Sequence, residues 1–370
     1  MKILHTVYDD FENPWCGGGG ALRTQEISRQ LSDRHDITTL VGAFPNCERE
    51  IERDGIRIKR LGTNRSYLLS RLSFAAAASR EVARGDFDLW VYGFSAYAPL
   101  YASKTLRQRS LLEFFHLMGD HATEKFPLLG HIAQHAEKHV LKTHPYMLTI
   151  SPTVTQQLKE KGITADLNLV YTGVDDVSFQ AQGEEQDYIL YFGRLDIQTK
   201  GLDILFKGFA QLDRKDVRLI LAGRGAPERQ QELQNLAAEL GIEKRIEFFG
   251  PATQDQKNDL FGKSLFVCMP SRYEGWGIVA IEAGAAGKAV IGTNIPGLAD
   301  AIRPNETGLL VPSEDPEALA QAIKQLLDNP TLRKTLGTEG RKWADQFTWD
   351  RIAAEQERVY QKVYEAIQKK

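Results

Sequence analysis

The chain has 370 residues, 42% hydrophobic and 26% charged, which is apolar material for about two ordinary globular domains. Lys+Arg 46 against Asp+Glu 49 leaves a net charge of -3, so bulk charge gives no support to a polyanion binder such as a nucleic-acid protein. Three scattered cysteines, Cys16, Cys47 and Cys268, are too few for a disulfide framework or a cysteine zinc site and fit a reducing compartment.

Met1-Lys2 runs directly into a strand-like Ile3–Val7, which is unlike a signal peptide. No apolar stretch nears the roughly 18 residues of a membrane span. The expectation is a cytoplasmic protein, with contact at the inner face of a membrane left open.

Short apolar runs alternate with longer helical patterns, which predicts βα units and parallel sheets. In the first half the predicted strands are Ile3–Val7, Ile37–Val41, Ile56–Leu61, Leu89–Tyr92, Leu111–Phe115, Tyr146–Ile150 and Leu167–Tyr171. The pattern restarts with Tyr188–Phe192, Val217–Leu221, Ile246–Phe249, Leu265–Met269, Ala289–Ile291 and Gly308–Val311. Between the sets, Ser178–Gln186 is polar and nearly without large apolar groups, as expected of a linker. The expected domains are 1–177 and 187–345, followed by a terminal segment, 346–370. There Ile352, Ala353, Val359, Tyr360, Val363, Tyr364 and Ile367 have the spacing of an amphipathic helix.

Several motifs carry chemistry. Cys16-Gly17-Gly18-Gly19-Gly20-Ala21 follows the first strand and precedes a helical run, forming an anion-tolerant turn without the G-x-G-x-x-G spacing of a dinucleotide site. Ser66–Arg84 mixes Leu and Phe with Arg71, Arg80 and Arg84, the pattern of either a helix walling an acceptor site or one resting on anionic lipid. Asp86-Phe87-Asp88 has the look of a metal-binding D-x-D, but it precedes a strand and so falls at the wrong end of a parallel sheet. His116 follows the Leu111–Phe115 run, with His121 nearby. His131, His135 and His139 recur at helical spacing without a carboxylate or cysteine to complete a metal site.

In the second half, Gly193, Gly223 and Gly250 each follow a predicted strand, where a doubly wound sheet binds its ligand and glycine lets backbone approach a phosphate. Arg194 and Lys200 follow the first strand of that set, at the end where fixed cations can stabilise a departing diphosphate. Pro270-Ser271-Arg272-Tyr273-Glu274-Gly275-Trp276-Gly277 turns from a strand into a helix carrying Glu282. Eight residues of helix rotate by about 800°, nearly the same face. Gly275 and Gly277 leave N–H groups free for an anion at the helix entrance. A carboxylate on either side of such a site can grip hydroxyls flanking a diphosphate.

These motifs resemble the retaining GT-B glycosyltransferases of family four, with Glu274 and Glu282 as their E-x7-E pair. The likeness extends through Gly173-Val174-Asp175 with Phe179, Gly193-Arg194-Leu195 followed by Lys200-Gly201, and Pro270-Ser271. It continues through Glu282-Ala283, Gly297-Leu298 and Thr307-Gly308-Leu309-Leu310-Val311-Pro312, in the family's order. Arg194 and Lys200 stand one residue further apart than is usual there.

The resemblance implies two Rossmann-like doubly wound parallel-sheet domains facing across a cleft, with the terminal helix returning to the first. It implies a hexosyltransferase-type enzyme moving a sugar from a UDP- or GDP-sugar to an acceptor hydroxyl of a glycan, lipid or small molecule, with retention. Arg194 and Lys200 would hold the diphosphate, Glu274 the sugar hydroxyls and Glu282 the ribose diol. The backbone at Phe249-Gly250-Pro251-Ala252 would border the base, His116 would sit beside the donor sugar, and Gly17–Gly20 would meet phosphate and acceptor. The donor is a substrate, so no cofactor and no metal are implied, and no nucleic-acid partner. A nucleotide-sugar epimerase of the same fold and a non-catalytic sugar-nucleotide-binding protein are the alternatives. Donor sugar, base, acceptor and oligomeric state are not legible.

Overall fold

The structure, a computed structural model, describes residues 1–117 and 127–369, with the backbone alone for 127–129. His121 lies outside the described residues. The chain divides into two units, Met1–Thr172 with Trp349–Lys370, and Gly173–Thr348.

The strands of the first unit are β1 (Lys2–Thr6), β2 (Asp36–Gly42), β3 (Glu50–Arg53), β4 (Ile56–Leu61), β5 (Leu89–Gly93), β6 (Ser110–Glu113), β7 (Tyr146–Thr149) and β8 (Asp166–Leu169). They form one sheet in the order β3-β4-β2-β1-β5-β6-β7-β8. Every pairing is parallel except that of β3 with β4. All five residues of β5 and all four of β6 and β7 are buried. Strands covered by helices on both faces read as unbroken apolar runs, so most of them were legible in the sequence.

Two elements differ from expectation. The β3 strand was not foreseen: it forms a hairpin with β4 through Asp54 and Gly55, at φ 52° and 74°. Both values are positive, as a two-residue I′ turn requires. The predicted strand Leu111–Phe115 ends instead at Glu113, so His116 stands three positions beyond the strand, in an exposed loop.

The second unit holds β9 (Tyr188–Phe192), β10 (Arg218–Ala222), β11 (Ile246–Gly250), β12 (Val267–Met269), β13 (Val290–Thr293) and β14 (Gly308–Val311). These form an all-parallel sheet, β11-β10-β9-β12-β13-β14. Numbered from its own first strand, the order is 3-2-1-4-5-6, whose reversal between β9 and β12 opens a crevice at the strands' carboxyl ends. Its core is built from Leu205, Phe206 and Phe209 of one helix, Phe266 beside β12, and Ile323 and Leu326 of another helix, all fully buried.

Ser178–Gln186 lies inside this unit. Residues Asp176–Gln180 form a 3-10 turn, and Glu185 accepts from Arg333 at 2.8 Å. The polar stretch is therefore held by ion pairing to its own unit.

The helix Trp349–Gln368 belongs to the first unit and packs on the helix Gly19–Leu31. Their contact is polar at its centre. Arg23 donates to Glu113 Oε1 at 2.7 Å and to Gln356 Oε1 at 2.7 Å, and Gln356 Nε2 donates to Glu113 Oε1 at 2.9 Å. His5 Nε2 lies 3.1 Å from Glu113 Oε2. None of these four side chains reaches solvent appreciably. Burial alone would push the Glu113 carboxyl up, but Arg23 and His5 outweigh it and hold the group down at about 2.

Candidate functional site

In the second unit, three strand ends converge. Gly193 N donates to Ala222 O at 2.9 Å, and Gly223 N donates to Gly250 O at 2.8 Å. A Cβ on Gly223 would stand 2.0 Å from Gly193 O. The missing side chain of Gly223 therefore lets the ends of β9 and β10 close together at the crevice end, and the Gly223–Gly250 hydrogen bond ties β11 to them. Pro251 follows them, exposed.

The loop after β9 holds the two predicted cations. The Arg194 guanidinium is exposed and has no side-chain partner among the described residues. Asp196 caps the short turn Ile197–Lys200, accepting from Thr199 N at 3.0 Å. Gly201 ends that turn in the left-handed region, at φ 62°, pressed so closely on Pro270 that a Cβ would meet its carbonyl oxygen at 2.0 Å. Lys200 is thus carried against the segment that follows β12, where its Nζ donates to Glu274 Oε2 at 2.5 Å. Both side chains are mostly buried.

Arg272 fastens the same two segments. It donates to both carboxylate oxygens of Asp203, at 2.8 and 2.9 Å, and to Ile197 O at 3.0 Å, and it pairs with Glu314. A bidentate guanidinium is suited to fixing a geometry.

Beyond Glu274 the chain enters the helix Ile278–Ala285 through Gly277, at φ 64°, where a side chain would strike Leu298. A Cβ on Gly297 would likewise stand 2.4 Å from the Glu274 carbonyl oxygen. These contacts explain Gly297-Leu298 in the motif set: it braces the helix entrance. Gly275 is only partly buried, whereas Trp276 turns into the core, its ring 5.3 Å from that of Phe347. Only the backbone of Trp276 is left for a ligand, which narrows the role expected of it.

Glu282, 6% exposed, is held by a residue the sequence reading missed: Lys257 donates to its Oε1 at 2.6 Å. Lys257 sits on the helix Gln254–Lys263, and its ammonium lies 5.5 Å from the centre of the Phe192 ring. The two glutamates of the E-x7-E pair thus each meet a lysine from a separate element.

In the first unit, the helix Gly19–Leu31 begins inside the glycine run, with Gly18 at its cap and Gly17–Gly19 exposed. A Cβ on Gly20 would lie 3.4 Å from the Phe115 ring, so the structure brings the glycine turn beside the loop that carries His116. Cys16 donates its thiol to Asp9 at 2.8 Å, and burial together with Asp9 pushes that thiol up to about 12. Both influences disfavour the thiolate, the form in which a cysteine acts as a nucleophile.

Asp86 pairs with Lys2 at 2.6 Å, and Asp88 accepts from Lys2 N at 2.7 Å. Both sit at the amino end of the sheet, away from Gly17–Gly20, as expected. His131, His135 and His139 share the helix Pro127–Thr143, where the His139 ring lies 5.7 Å from that of Tyr101. Among the described residues no three His, Cys, Asp or Glu side chains gather as a metal site would need. No helix among them is long and apolar enough to cross a membrane.

Two family models match the chain: Glycosyltransferase Family 4 over residues 17–177, and Glycosyl transferases group 1 over residues 175–343. D-inositol 3-phosphate glycosyltransferase of Corynebacterium aurimucosum is 31% identical over 207 residues, covering 53% of this chain and 49% of that one. The chain spans about half the length of the curated relatives it matches first. Among solved structures, sucrose-phosphate synthase from Thermosynechococcus elongatus superposes with a TM-score of 0.84 at 23% identity, covering 99% of this chain and 100% of that one. Anabaena HepE, solved in complex with UDP-glucose, gives 0.74 at 17% identity with 100% of both chains covered. The fold is GT-B, and the chain belongs to the family-four glycosyltransferases.

Proposed function

We propose that this family-four glycosyltransferase moves a sugar from a nucleoside diphosphate donor to an acceptor hydroxyl with retention of configuration. The observation that carries the reading is the cluster at the crevice end of the second sheet. There an exposed Arg194 and a Lys200 already paired with Glu274 stand beside a helix entered through Gly275 and Gly277. A diphosphate gains charge as the C1–O bond to it breaks, and cations fixed beforehand stabilise that charge without reorganising. Glu274 is assigned to the sugar hydroxyls, Glu282 to the ribose diol, and the backbone at Gly250-Pro251 to the base. HepE's complex with UDP-glucose supports a UDP-sugar as the first donor to try.

In this reading the acceptor oxygen forms its bond to C1 on the face the diphosphate leaves, and its proton passes to a diphosphate oxygen. No protein general base is assigned. Arg194, Lys200 and the helix entrance supply the positive field, so no metal or cofactor is assigned either. Gly17–Gly20 and His116 are the first unit's candidates for acceptor and sugar contacts. The three free cysteines are in keeping with a reducing, cytoplasmic setting.

A second observation bears on where the acceptor is met. On the helix Tyr67–Ala83, Leu68, Leu69 and Leu72 are 48%, 52% and 55% exposed, between Arg65 and Arg80. Residues 55–80 contain no Asp or Glu. That face supports peripheral contact with an anionic membrane. Co-sedimentation with phosphatidylglycerol vesicles, lost in Leu69→Glu/Leu72→Glu, tests it.

The main test is nucleoside diphosphate release from a panel of UDP-, GDP- and ADP-sugars with mixed acceptors, followed by assignment of the product anomer. Release from one donor with a retained anomer supports the proposal. An inverted product, or epimerised sugar without transfer, overturns it.

A further inference from the structure

Lys257 has no place in the motifs above, yet it is built into the donor side of the second unit. It rises from the helix Gln254–Lys263, whose start is fixed by a reciprocal cap between Thr253 and Gln256. Its ammonium reaches a carboxylate 25 residues on in sequence, at 2.6 Å, on a glutamate with a 7% exposed side chain. The Phe192 ring, at the end of β9, faces the same ammonium and packs 5.3 Å from Phe261 of the lysine's own helix. Lysine is usually a mobile, hydrated point charge. Here a ring and a carboxylate hold it in one place.

The pairing is one-sided. Lys257 occupies Oε1 of Glu282, and Oε2 has no side-chain partner among the described residues. The side chain is 7% exposed, and a carboxylate oxygen left open in this way is a directed acceptor. The ammonium that holds it lies beside the Phe192 ring, where β9 ends at the crevice.

We propose that Lys257 is a positioning residue that sets the Glu282 carboxylate against a cis-diol, and so makes the site distinguish ribonucleoside from 2′-deoxyribonucleoside diphosphates. The inference rests on the assignment of Glu282 to the ribose. The lysine need not touch the ligand: by occupying one oxygen it fixes the carboxylate plane, so both diol hydroxyls meet a prearranged acceptor. A site built to bond a hydroxyl discriminates strongly against the analogue lacking it, because its own buried group is then left unpaired. Without the ammonium the carboxylate can turn, and the 2′-hydroxyl loses much of its value.

The experiment is calorimetric titration of wild type, Lys257→Met and Lys257→Arg with UDP, GDP and ADP and their 2′-deoxy forms. Thermal unfolding of each variant shows that it is folded. Wild type should prefer its best ribonucleotide to the 2′-deoxy form by on the order of ten-fold or more. Lys257→Met should weaken that ribonucleotide by about the same factor and leave the deoxy form nearly unchanged, so the preference falls to within about three-fold. Lys257→Arg should keep part of the preference, and in turnover the Met variant should raise donor KM with kcat held.

A Met variant that keeps the wild-type preference overturns the inference and leaves the proposed function standing. Equal loss of both nucleotide forms also overturns it, since the lysine would then serve the phosphates. Failure of the wild-type protein to bind any of the three diphosphates overturns the inference together with the proposed function, which separates the two failures.

Discussion

Replacing Glu113 with Gln tests the polar centre of the first unit. Glu113 accepts from Arg23 and Gln356 on one oxygen and faces His5 across 3.1 Å on the other, with every member buried. Gln supplies one acceptor in place of two and removes the charge opposite Arg23. Breaking one side of a buried ion pair costs about 3–5 kcal/mol, because the partner's charge is left uncompensated.

The depressed carboxyl reflects the same pairing. Holding the group at about 2 against an ordinary value of 4.5 corresponds to roughly 3 kcal/mol of linkage. The folded value lies below the unfolded one. That stability is therefore complete above about pH 4.5 and is lost as pH falls towards 2. Amide exchange under rising urea, read in peptides covering β1 and β6, reports the first unit alone. Wild type should lose protection between pH 4.5 and 2, whereas Glu113→Gln should be weaker at pH 7 and lose less over the same range. The slope that remains comes from Glu12 and Asp86, whose carboxyls are also held low by their cation partners. A variant as stable as wild type at pH 7, or one with an equal acid slope, would refute the account.

Changing both Arg194 and Lys200 to Ala should lower turnover by on the order of 10²-fold or more, measured as diphosphate release at saturating donor. Unchanged turnover would remove the diphosphate assignment. Glu282→Ala should raise donor KM by an amount worth about 1.5–3 kcal/mol while kcat holds, since a ribose contact acts alike in ground and transition states. A large fall in kcat would place Glu282 nearer the reacting atoms. Treatment with EDTA should leave activity within about a factor of two. Loss that Mg²⁺ or Mn²⁺ restores would show that the protein's cations are insufficient.

The parallel strands were legible because burial on both faces leaves an unbroken apolar signature, and the bounds of β4, β9 and β14 agree residue for residue. β3 escaped because Glu50-Ile51-Glu52-Arg53 is an edge segment with one apolar residue, though Asp54-Gly55 between alternating residues marked the hairpin. The β6 boundary was set too late because Phe114 and Phe115 continue the hydrophobic run after the ladder has stopped.

Motif residues could be picked out because loop chemistry at strand ends is local. The partners that hold them could not. Lys257 lies in Gln-Asp-Gln-Lys-Asn-Asp, where nothing separates it from solvated neighbours until the fold sets it against Glu282. Arg272 likewise has a purpose only once Asp203 and Glu314 are in place. Glu113 was readable in principle, as a lone carboxylate amid Leu111, Leu112, Phe114 and Phe115, since such a charge needs a partner.

The division of the chain bears on the order in which it folds during synthesis. The second unit is one continuous stretch, Gly173–Thr348, placed between the two segments of the first. A ribosome adding about 5–20 residues each second reaches Gln356 roughly ten seconds or more after it has passed Thr172. Throughout that interval Arg23 and Glu113 lack their amide partner, and the face of the Gly19–Leu31 helix that will receive the final helix is uncovered. The half encoded first is therefore the half completed last. A nascent chain stalled before Gln356 would carry a second unit with all of its own strands beside an unfinished first, a natural client for a chaperone.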